Sequence, residues 1–187
     1  MLITQRLRFR RFTTADLALL HQEIYSHAKV AEALSPTGFL SIGNTESILT
    51  RRLQHWQDHG FGVWALIHPQ TQQLLGHCGL HYLDGTREVE LTYTIHPNYW
   101  RQGLATEAAT AVLAWGFEQL NLSQIAAVTG PTNQASQRVM QKLGMRCVKT
   151  MQYNGTEVLY YRLSREEFRR SHPQPDPAEL DLLITSL

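Results

Sequence analysis

The sequence predicts an α+β fold in which helices flank a mixed, mostly antiparallel sheet of seven strands. Strand-like and helical runs follow one another in the order β-α-α-β-β-β-α-β-α-β-β. Most neighbouring strand-like runs are separated by short turns, which favour antiparallel hairpins. One long helical run, residues 103–120, instead joins two strands and predicts a single parallel crossover.

The length and charge of the chain limit its organisation and its partners. Its 187 residues are 43% hydrophobic and 18% charged, which predicts one folded domain over residues 1–170 and a proline-containing tail over residues 171–187. The net charge of +1 gives no basic field for nucleic acid. Neither a membrane span nor a signal-peptide core is recognisable. We therefore expect a cytoplasmic protein, a monomer or homodimer, without a nucleic-acid or membrane partner.

The cysteines and histidines predict neither a disulfide nor a metal site. Cys78 and Cys147 are distant in the sequence and flanked by strand-like residues, so we expect both to be buried free thiols. His77 and His81 share one face of a predicted strand but lie ~13 Å apart at ~3.3 Å per residue, too far for one ion. We expect these histidines to pack in the core or to line a pocket.

In the first part of the chain, alternating and helical patterns predict four elements. Residues 6–10 alternate between arginine and apolar side chains, which favours an amphipathic edge strand with solvated arginines over a phosphate-binding arm. Helices are expected from Thr13 and over residues 30–34. A third helix is predicted to begin at Asn44 and to end at Gly60, a typical C-terminal residue.

Turn and capping residues bound the remaining elements. Asn154-Gly155 is the strongest hairpin sequence in the chain, Gly144 closes a helix, and Ser164 begins a capping box with Glu167. The predicted strands cover residues 61–67, 73–82, 88–95, 124–129, 146–153 and 156–163, and the later helices cover residues 103–120 and 133–143.

A short segment between a predicted strand and the long helix has the pattern of a phosphate site. It reads Tyr99-Trp100-Arg101-Gln102-Gly103-Leu104-Ala105-Thr106-Glu107. The first backbone N–H groups of a helix lack internal partners and carry partial positive charge, and small residues let a phosphate approach them. An ordinary strand-turn-helix connection with a convenient glycine is the alternative, because short glycine patterns are weak.

A second segment begins the next predicted helix and carries two polar residues on one face. Asn133 and Ser136 are three residues apart, so their side chains point the same way. Asn133 alone is well explained as an N-cap. That interpretation explains Ser136 poorly, which favours a functional role for the pair.

Together the two segments resemble the GNAT superfamily of acetyl-coenzyme A-dependent N-acetyltransferases, and within it the RimJ/RimL-like enzymes that acetylate protein N-terminal amines. The resemblance covers residues 4–163 and rests most on residues 89–107 and 133–145. The family's pyrophosphate loop reads Gln/Arg-x-x-Gly-x-Gly/Ala. In this chain Trp100 replaces the first polar residue, and Arg101 stands where glycine is common.

The resemblance implies a GNAT fold in which two central strands splay apart and admit acetyl-coenzyme A (acetyl-CoA). The backbone of Tyr93, Thr94 and Ile95 would face the thioester and the pantetheine. Asn133 would hydrogen-bond the pantetheine arm or hold its loop. The pyrophosphate would lie against the loop and helix start, at Arg101, Gln102, Gly103, Leu104, Ala105 and Thr106.

The resemblance also implies roles for two side chains. Glu90 would act as a base, directly or through water, with an exposed carboxylate or a substrate-binding anion as the alternatives. Ser136 would donate a proton to the departing thiolate. An α-amine with a pKa of ~8 is roughly one-tenth neutral at pH 7 and needs modest help from a base, whereas a lysine at ~10.4 needs much more.

The sequence thus predicts an N-acetyltransferase that moves an acetyl group from acetyl-CoA to a primary amine by direct attack. A protein N-terminal amine of the ribosomal-protein type is the expected acceptor. Two alternatives stay open: a small-molecule or antibiotic amine as the acceptor, and a non-catalytic acyl-CoA-binding module. The near-neutral charge neither favours nor excludes a polycationic acceptor.

Overall fold

The computed structural model describes residues 2–34 and 38–173 and contains one seven-stranded sheet. The strands are β1 Arg8–Arg11, β2 Val63–Ile67, β3 Leu74–Tyr82, β4 Val89–Ile95, β5 Gln124–Thr129, β6 Arg146–Tyr153 and β7 Thr156–Ser164. They lie in the order β1-β2-β3-β4-β5-β7-β6. Every neighbouring pair is antiparallel except β4 and β5. The predicted mixed sheet and its single crossover are therefore confirmed.

Helices cover both faces of this sheet. Within the described residues they are α1 Leu17–Leu20, which continues as a π-helical turn over His21–Tyr25, α2 Ala28–Leu34, α3 Ile42–His59, α4 Leu104–Gln119, α5 Gln134–Lys142 and α6 Arg165–Ser171. Short 3-10 turns over Thr14–Asp16 and Pro97–Tyr99 precede α1 and α4.

Two buried clusters lie on opposite faces of the sheet. On one face, Val89 of β4 packs in a cluster with Val112 and other residues of α4. On the other face, α1 to α3 contribute residues such as Leu49, which cluster with Val63 of β2. Because successive side chains alternate between the faces of a strand, Glu90 points away from α4.

The ends of α3 show how local capping sets helix boundaries. The helix begins two residues before the predicted start, because Ser41 rather than Asn44 is its N-cap. The Ser41 hydroxyl accepts a hydrogen bond from the Asn44 N–H at 3.1 Å, and the Asn44 side chain accepts one from the Ser41 N–H at 2.9 Å. The predicted end is confirmed, since Gly60 takes the left-handed conformation with φ 73°.

The C-terminal hairpin and helix follow the predicted turn chemistry. Asn154 and Gly155 both have positive φ angles, of 49° and 74°, and connect β6 to β7. Ser164 then begins α6, and its hydroxyl accepts a hydrogen bond from the N–H of Glu167 at 3.3 Å. The Asn-Gly hairpin and the capping box are therefore confirmed.

The parallel pair β4 and β5 is joined at one point only. Its ladder contains the single pair Glu90 and Ala126, whereas β4 pairs with β3 along its whole length from Val89 to Ile95. Beyond Glu90 the two parallel strands separate, and a gap opens between them. This gap is the splayed pair of strands that the family resemblance implies.

The two cysteines differ in their environment. Cys78 is a buried free thiol, as predicted, but Cys147 is an exposed free thiol, so the prediction of its burial was wrong. The reason is that β6 forms the outer edge of the sheet and its first five residues are exposed. Residues 174–187, most of the predicted tail, lie outside the described residues. In the part that is described, no helix is long and apolar enough to cross a membrane.

Candidate active site

The chain between β4 and α4 presents a row of backbone N–H groups at one spot. Gly103 is the N-cap of α4, and the first N–H to bond inside the helix is that of Glu107, which donates to the Gly103 carbonyl at 3.0 Å. The N–H groups of Leu104, Ala105 and Thr106 precede it and have no acceptor within the helix. We call residues 101–106 the cradle.

The cradle is shaped by two residues with positive φ. Arg101 has φ 64° and Gly103 has φ 80°. Glycine adopts this conformation freely, whereas an L side chain is strained there by ~1 kcal/mol. Arg101 therefore occupies a glycine-like conformation, which agrees with its place in the family's loop. The indole N–H of the preceding Trp100 donates to the Ile95 carbonyl at 2.6 Å and ties the loop to the end of β4.

The N-terminal segment braces the cradle from outside the sheet. The Thr4 hydroxyl and the Arg6 N–H donate to the Glu107 carboxylate at 2.6 and 3.0 Å, and the Arg6 guanidinium pairs with it at 2.6 Å. The same guanidinium donates to the Gln102 carbonyl at 2.8 Å. Burial opposes ionisation, but these bonds outweigh it and lower the pKa of Glu107. The Arg6 side chain is 46% exposed, as predicted for a solvated arginine, but its contacts with Glu107 and with the Gln102 carbonyl were not predicted.

The side chains of Tyr93 on β4 and Ser136 on α5 are in contact beside the strand gap. The Tyr93 hydroxyl lies 2.8 Å from the Ser136 hydroxyl and donates to the Ser136 carbonyl at 3.1 Å. Burial raises the pKa of Tyr93, so its hydroxyl stays protonated. Asn133 is the N-cap of α5, since its side-chain oxygen accepts from the Ser136 N–H at 3.0 Å. The N-cap interpretation of Asn133 is thus correct for its oxygen, while its amide nitrogen makes no hydrogen bond within the described residues.

Glu90 lies inside the protein, on the other face of β4. It is only 6% exposed, so the alternative of an exposed strand carboxylate is wrong. Burial raises the pKa of Glu90 to about 8, against the opposing effect of a hydrogen bond from the backbone of Val128 and with a smaller contribution from Asp84. Its carboxyl group is therefore mostly protonated at neutral pH.

His81 stands opposite Glu90 on the neighbouring strand. The two residues are register partners between β3 and β4, and the His81 Nε2 lies 3.7 Å from a Glu90 carboxyl oxygen. Burial lowers the pKa of His81. Both shifts favour neutral side chains, so near pH 7 the contact joins an imidazole to a carboxylic acid and is no ion pair. Sequence reasoning placed His81 in a pocket lining but did not connect it to Glu90.

A groove of about 560 Å³ runs from the cradle along the outer side of α4. It is lined by Thr4, Gly103, Thr106, Glu107, Thr110, Ala111, Ala114 and Lys142. The groove adjoins the amide row but includes neither Glu90 nor the Tyr93–Ser136 contact. Glu90, Tyr93 and Ser136 therefore lie outside the groove, at the strand gap, and we place the candidate reaction centre there.

The predicted site residues fall into two groups that β4 separates. Ser136 contacts both Tyr93 and Asn133, next to the strand end that leads to the cradle. Glu90 is three residues before Tyr93, an odd spacing that puts the two side chains on opposite faces. Residues 2–34 and 38–173 contain no group of three or more histidine, cysteine or acidic residues that could hold a metal ion.

Comparisons with known proteins identify the fold and the family of this chain. The family model described as an acetyltransferase (GNAT) domain matches residues 6–146. An uncharacterized N-acetyltransferase of Bacillus subtilis, YnaD, is 42% identical over 145 residues, which cover 76% of this chain and 81% of YnaD. A GNAT-family acetyltransferase structure from Bacillus anthracis has a TM-score of 0.72 and 27% identity, covering 88% of this chain and 98% of that one.

One further solved structure shows the same fold at low identity. It is RimL, a ribosomal L7/L12 alpha-N-protein acetyltransferase in complex with coenzyme A. Its TM-score is 0.72 at 15% identity, over 87% of this chain and 96% of RimL. The family model spans most of the chain, and the strand gap and the amide row at the start of α4 are consistent with it. This chain therefore belongs to the GNAT family of acetyl-CoA-dependent N-acetyltransferases.

Proposed function

We propose that this protein acetylates the α-amine of protein N termini in the cytoplasm, as RimJ/RimL-like enzymes do. The observation that carries the proposal is the placement of two half-sites on opposite faces of β4, beside the gap. One half-site offers backbone amides and hydroxyl donors, and the other offers a buried carboxyl group beside an imidazole. Acetyl-CoA would supply the activated acetyl thioester, and the acceptor amine would approach it through the gap.

The donor half-site fits a pyrophosphate for electrostatic reasons. The free amides of Gly103, Leu104, Ala105 and Thr106 and the positive end of the α4 dipole would bind its oxygens. Glu107 would repel it, but the Arg6 guanidinium neutralises that carboxylate at 2.6 Å. Arg101 and Gln102 are exposed beside the amides and would add donors.

The pantetheine and the thioester would follow β4 away from the cradle. There β4 has lost its pairing with β5, so the backbone N–H groups of Tyr93 and Ile95, which face that side, are open to hydrogen bonds, whereas Thr94 pairs with His77 of β3. One such N–H would stabilise the oxyanion that forms when the amine attacks. The amide nitrogen of Asn133 would bind the pantetheine arm.

Ser136 and the pair of Glu90 and His81 would handle the protons. The Ser136 hydroxyl would donate to the departing thiolate, with Tyr93, 2.8 Å away, holding it in place. Glu90, whose pKa is raised to about 8, matches an α-amine, whose own pKa is ~8. It matches a lysine or polyamine nitrogen at ~10.4 less well. We therefore prefer an N-terminal amine as the acceptor.

The experiment is a thiol-release assay with matched acceptors at pH 7.5. One peptide carries a free N-terminus and no lysine, and a second is blocked at the N-terminus but contains lysine. A polyamine and an aminoglycoside complete the panel. We expect turnover with the free N-terminus and less than about a tenth of it with the others. Turnover confined to the polyamine or the aminoglycoside would contradict the proposed acceptor.

A further inference from the structure

The tautomer of His81 is set by its backbone contact. Its Nδ1 lies 2.8 Å from the carbonyl oxygen of Tyr82. A carbonyl oxygen can only accept, so Nδ1 carries the hydrogen and Nε2 carries the lone pair. The lone pair is on the nitrogen that faces Glu90, 3.7 Å from its carboxyl oxygen. That separation is too long for a hydrogen bond, so the lone pair is available to another proton donor.

The charges around His81 keep its imidazole neutral. Burial lowers the pKa of His81, and Arg52 and His55 on α3 act in the same direction. The hydrogen bond to Tyr82 and the charge of Asp84 act against them without reversing the shift. At neutral pH the imidazole can accept a proton, whereas the carboxyl group of Glu90 already holds one.

His81 is also the more accessible member of the pair. Its side chain is 29% exposed, against 8% for Glu90. An amine entering from the face that α1 to α3 cover would reach the imidazole before the buried carboxyl group. Its greater exposure and its unprotonated Nε2 therefore both favour His81 as the residue that accepts the proton.

We propose that His81 takes the proton from the acceptor amine, while Glu90 faces the imidazolium that results. The proposal rests on acetyl transfer to an amine. In this step the N–H bond of the ammonium group breaks, its electron pair stays on the amine nitrogen, and the proton bonds to Nε2. The new positive charge lies 3.7 Å from Glu90 and favours ionisation of that carboxyl group, so the two residues titrate as a coupled pair.

The ratio of wild-type to His81→Gln acetylation rates tests this role across pH. Dividing the two rates cancels the ionisation of the amine, which is common to both. Near pH 7.5 we expect a ratio of about a hundred, a typical contribution of general base catalysis. The ratio should approach one as the pH falls through the pKa of His81, because a protonated imidazole cannot accept another proton. A ratio that is constant with pH would indicate a structural role and overturn the proposal.

Two further variants separate His81 from its neighbours. His59→Gln removes an exposed histidine that lies near Tyr82 but does not face Glu90, and we expect wild-type rates. Glu90→Gln should lower the rate at pH 7 by about tenfold or less, that is, less than His81→Gln does. A much larger loss in Glu90→Gln than in His81→Gln would assign the base to Glu90 and overturn the proposal.

A measurement on the unmodified protein depends neither on whether a variant folds nor on whether the proposed acceptor is correct. Nitrogen-15 NMR of the histidine side chains reports the tautomer and the pKa of His81 without any turnover. We expect the Nδ1–H tautomer, and a pKa below 6.5. An Nε2–H tautomer would leave no lone pair toward Glu90 and would overturn the proposal, even if peptides are acetylated. The expected tautomer without peptide turnover would contradict only the acceptor.

Discussion

The cradle and the Glu90–His81 pair are built in different ways. The cradle uses contiguous residues, and its N–H groups are oriented by one helix start and two positive φ angles. The pair uses residues on two strands, and its chemistry arises from the β3–β4 register and from burial. A local site tolerates change elsewhere in the fold, whereas a non-local one depends on the fold as a whole. Substitutions in the two regions should therefore differ in what they disturb.

The largest expected effect is on stability, at Glu90. Its pKa is raised to about 8 in the folded state from ~4.3 when unfolded. The carboxyl group therefore favours folding fully below pH ~4.3, and this contribution is lost as the pH rises through 8. Relative to Glu90→Gln, the wild-type free energy of unfolding should fall by up to ~1.4 kcal/mol per pH unit in that window. Urea unfolding from pH 5 to 9 measures the difference.

A matched control for this comparison is Glu118→Gln, at an exposed position on α4. The free energy of unfolding of this surface variant should stay close to that of the wild type. If the difference in free energy of unfolding between Glu90→Gln and wild type did not change with pH, the pKa of Glu90 would not be raised in the folded protein.

At the cradle, Gly103→Asp should weaken coenzyme A binding at least tenfold. A carboxylate ~4 Å from a phosphate near the surface costs about 4 kcal/mol in Coulomb energy. Gly103→Asn has nearly the same shape, tolerates the φ of 80° and carries no charge, so it should lose much less. Calorimetry with coenzyme A measures both affinities. Equal affinities for the two variants would show that the phosphate does not bind at the start of α4.

Ser136→Ala should lower kcat about tenfold and leave the coenzyme A affinity unchanged. The effect is modest because a thiolate with a pKa of ~8.5 is a tolerable leaving group. Tyr93→Phe removes the hydroxyl that lies 2.8 Å from Ser136. If the two hydroxyls act as one unit, the double variant should be no slower than Ser136→Ala. Additive losses in a steady-state double-mutant cycle would assign them separate roles.

The smallest expected effect is at the brace of the cradle. Arg6→Ala leaves the Glu107 carboxylate without its guanidinium partner and should weaken coenzyme A binding about fivefold, an exposed charge interaction of ~1 kcal/mol. Adding Glu107→Gln removes the unpaired charge and should restore most of the affinity. If the double variant binds as weakly as Arg6→Ala, the guanidinium acts on the phosphates directly.

Sequence reasoning predicted the local features and missed the non-local ones. The Asn154-Gly155 hairpin and the end of α3 at Gly60 follow from backbone chemistry that single residues determine. The contacts of Arg6 with Glu107 and of Tyr93 with Ser136 join residues 101 and 43 positions apart, and no pattern in the chain encodes such pairs. The β3–β4 register does not follow from the turn residues alone, because a hairpin centred on Asp84-Gly85 would place His81 opposite Glu88, whereas the structure pairs it with Glu90.

The burial of Glu90 was harder to foresee. Its neighbours on the strand predict alternation, with Val89 and Leu91 in the core and Glu90 in solvent. Both faces of β4 are covered: α4 packs on one, and on the other Glu90 lies against the backbone of Val128 and the side chain of His81. A strand covered on both faces loses its alternation of polarity, and a carboxyl group kept there acquires the raised pKa that the proposed chemistry uses.

We propose that the cradle binds the pyrophosphate of coenzyme A and that its sulfur lies in the gap between β4 and β5. A crystal structure of the complex with coenzyme A tests it most directly. We predict phosphate oxygens within hydrogen-bonding distance of the Gly103, Leu104 and Ala105 amides, and the sulfur beside the Ser136 hydroxyl. Coenzyme A bound along the outer groove of α4, with its sulfur near Thr110 or Lys142, would contradict the claim.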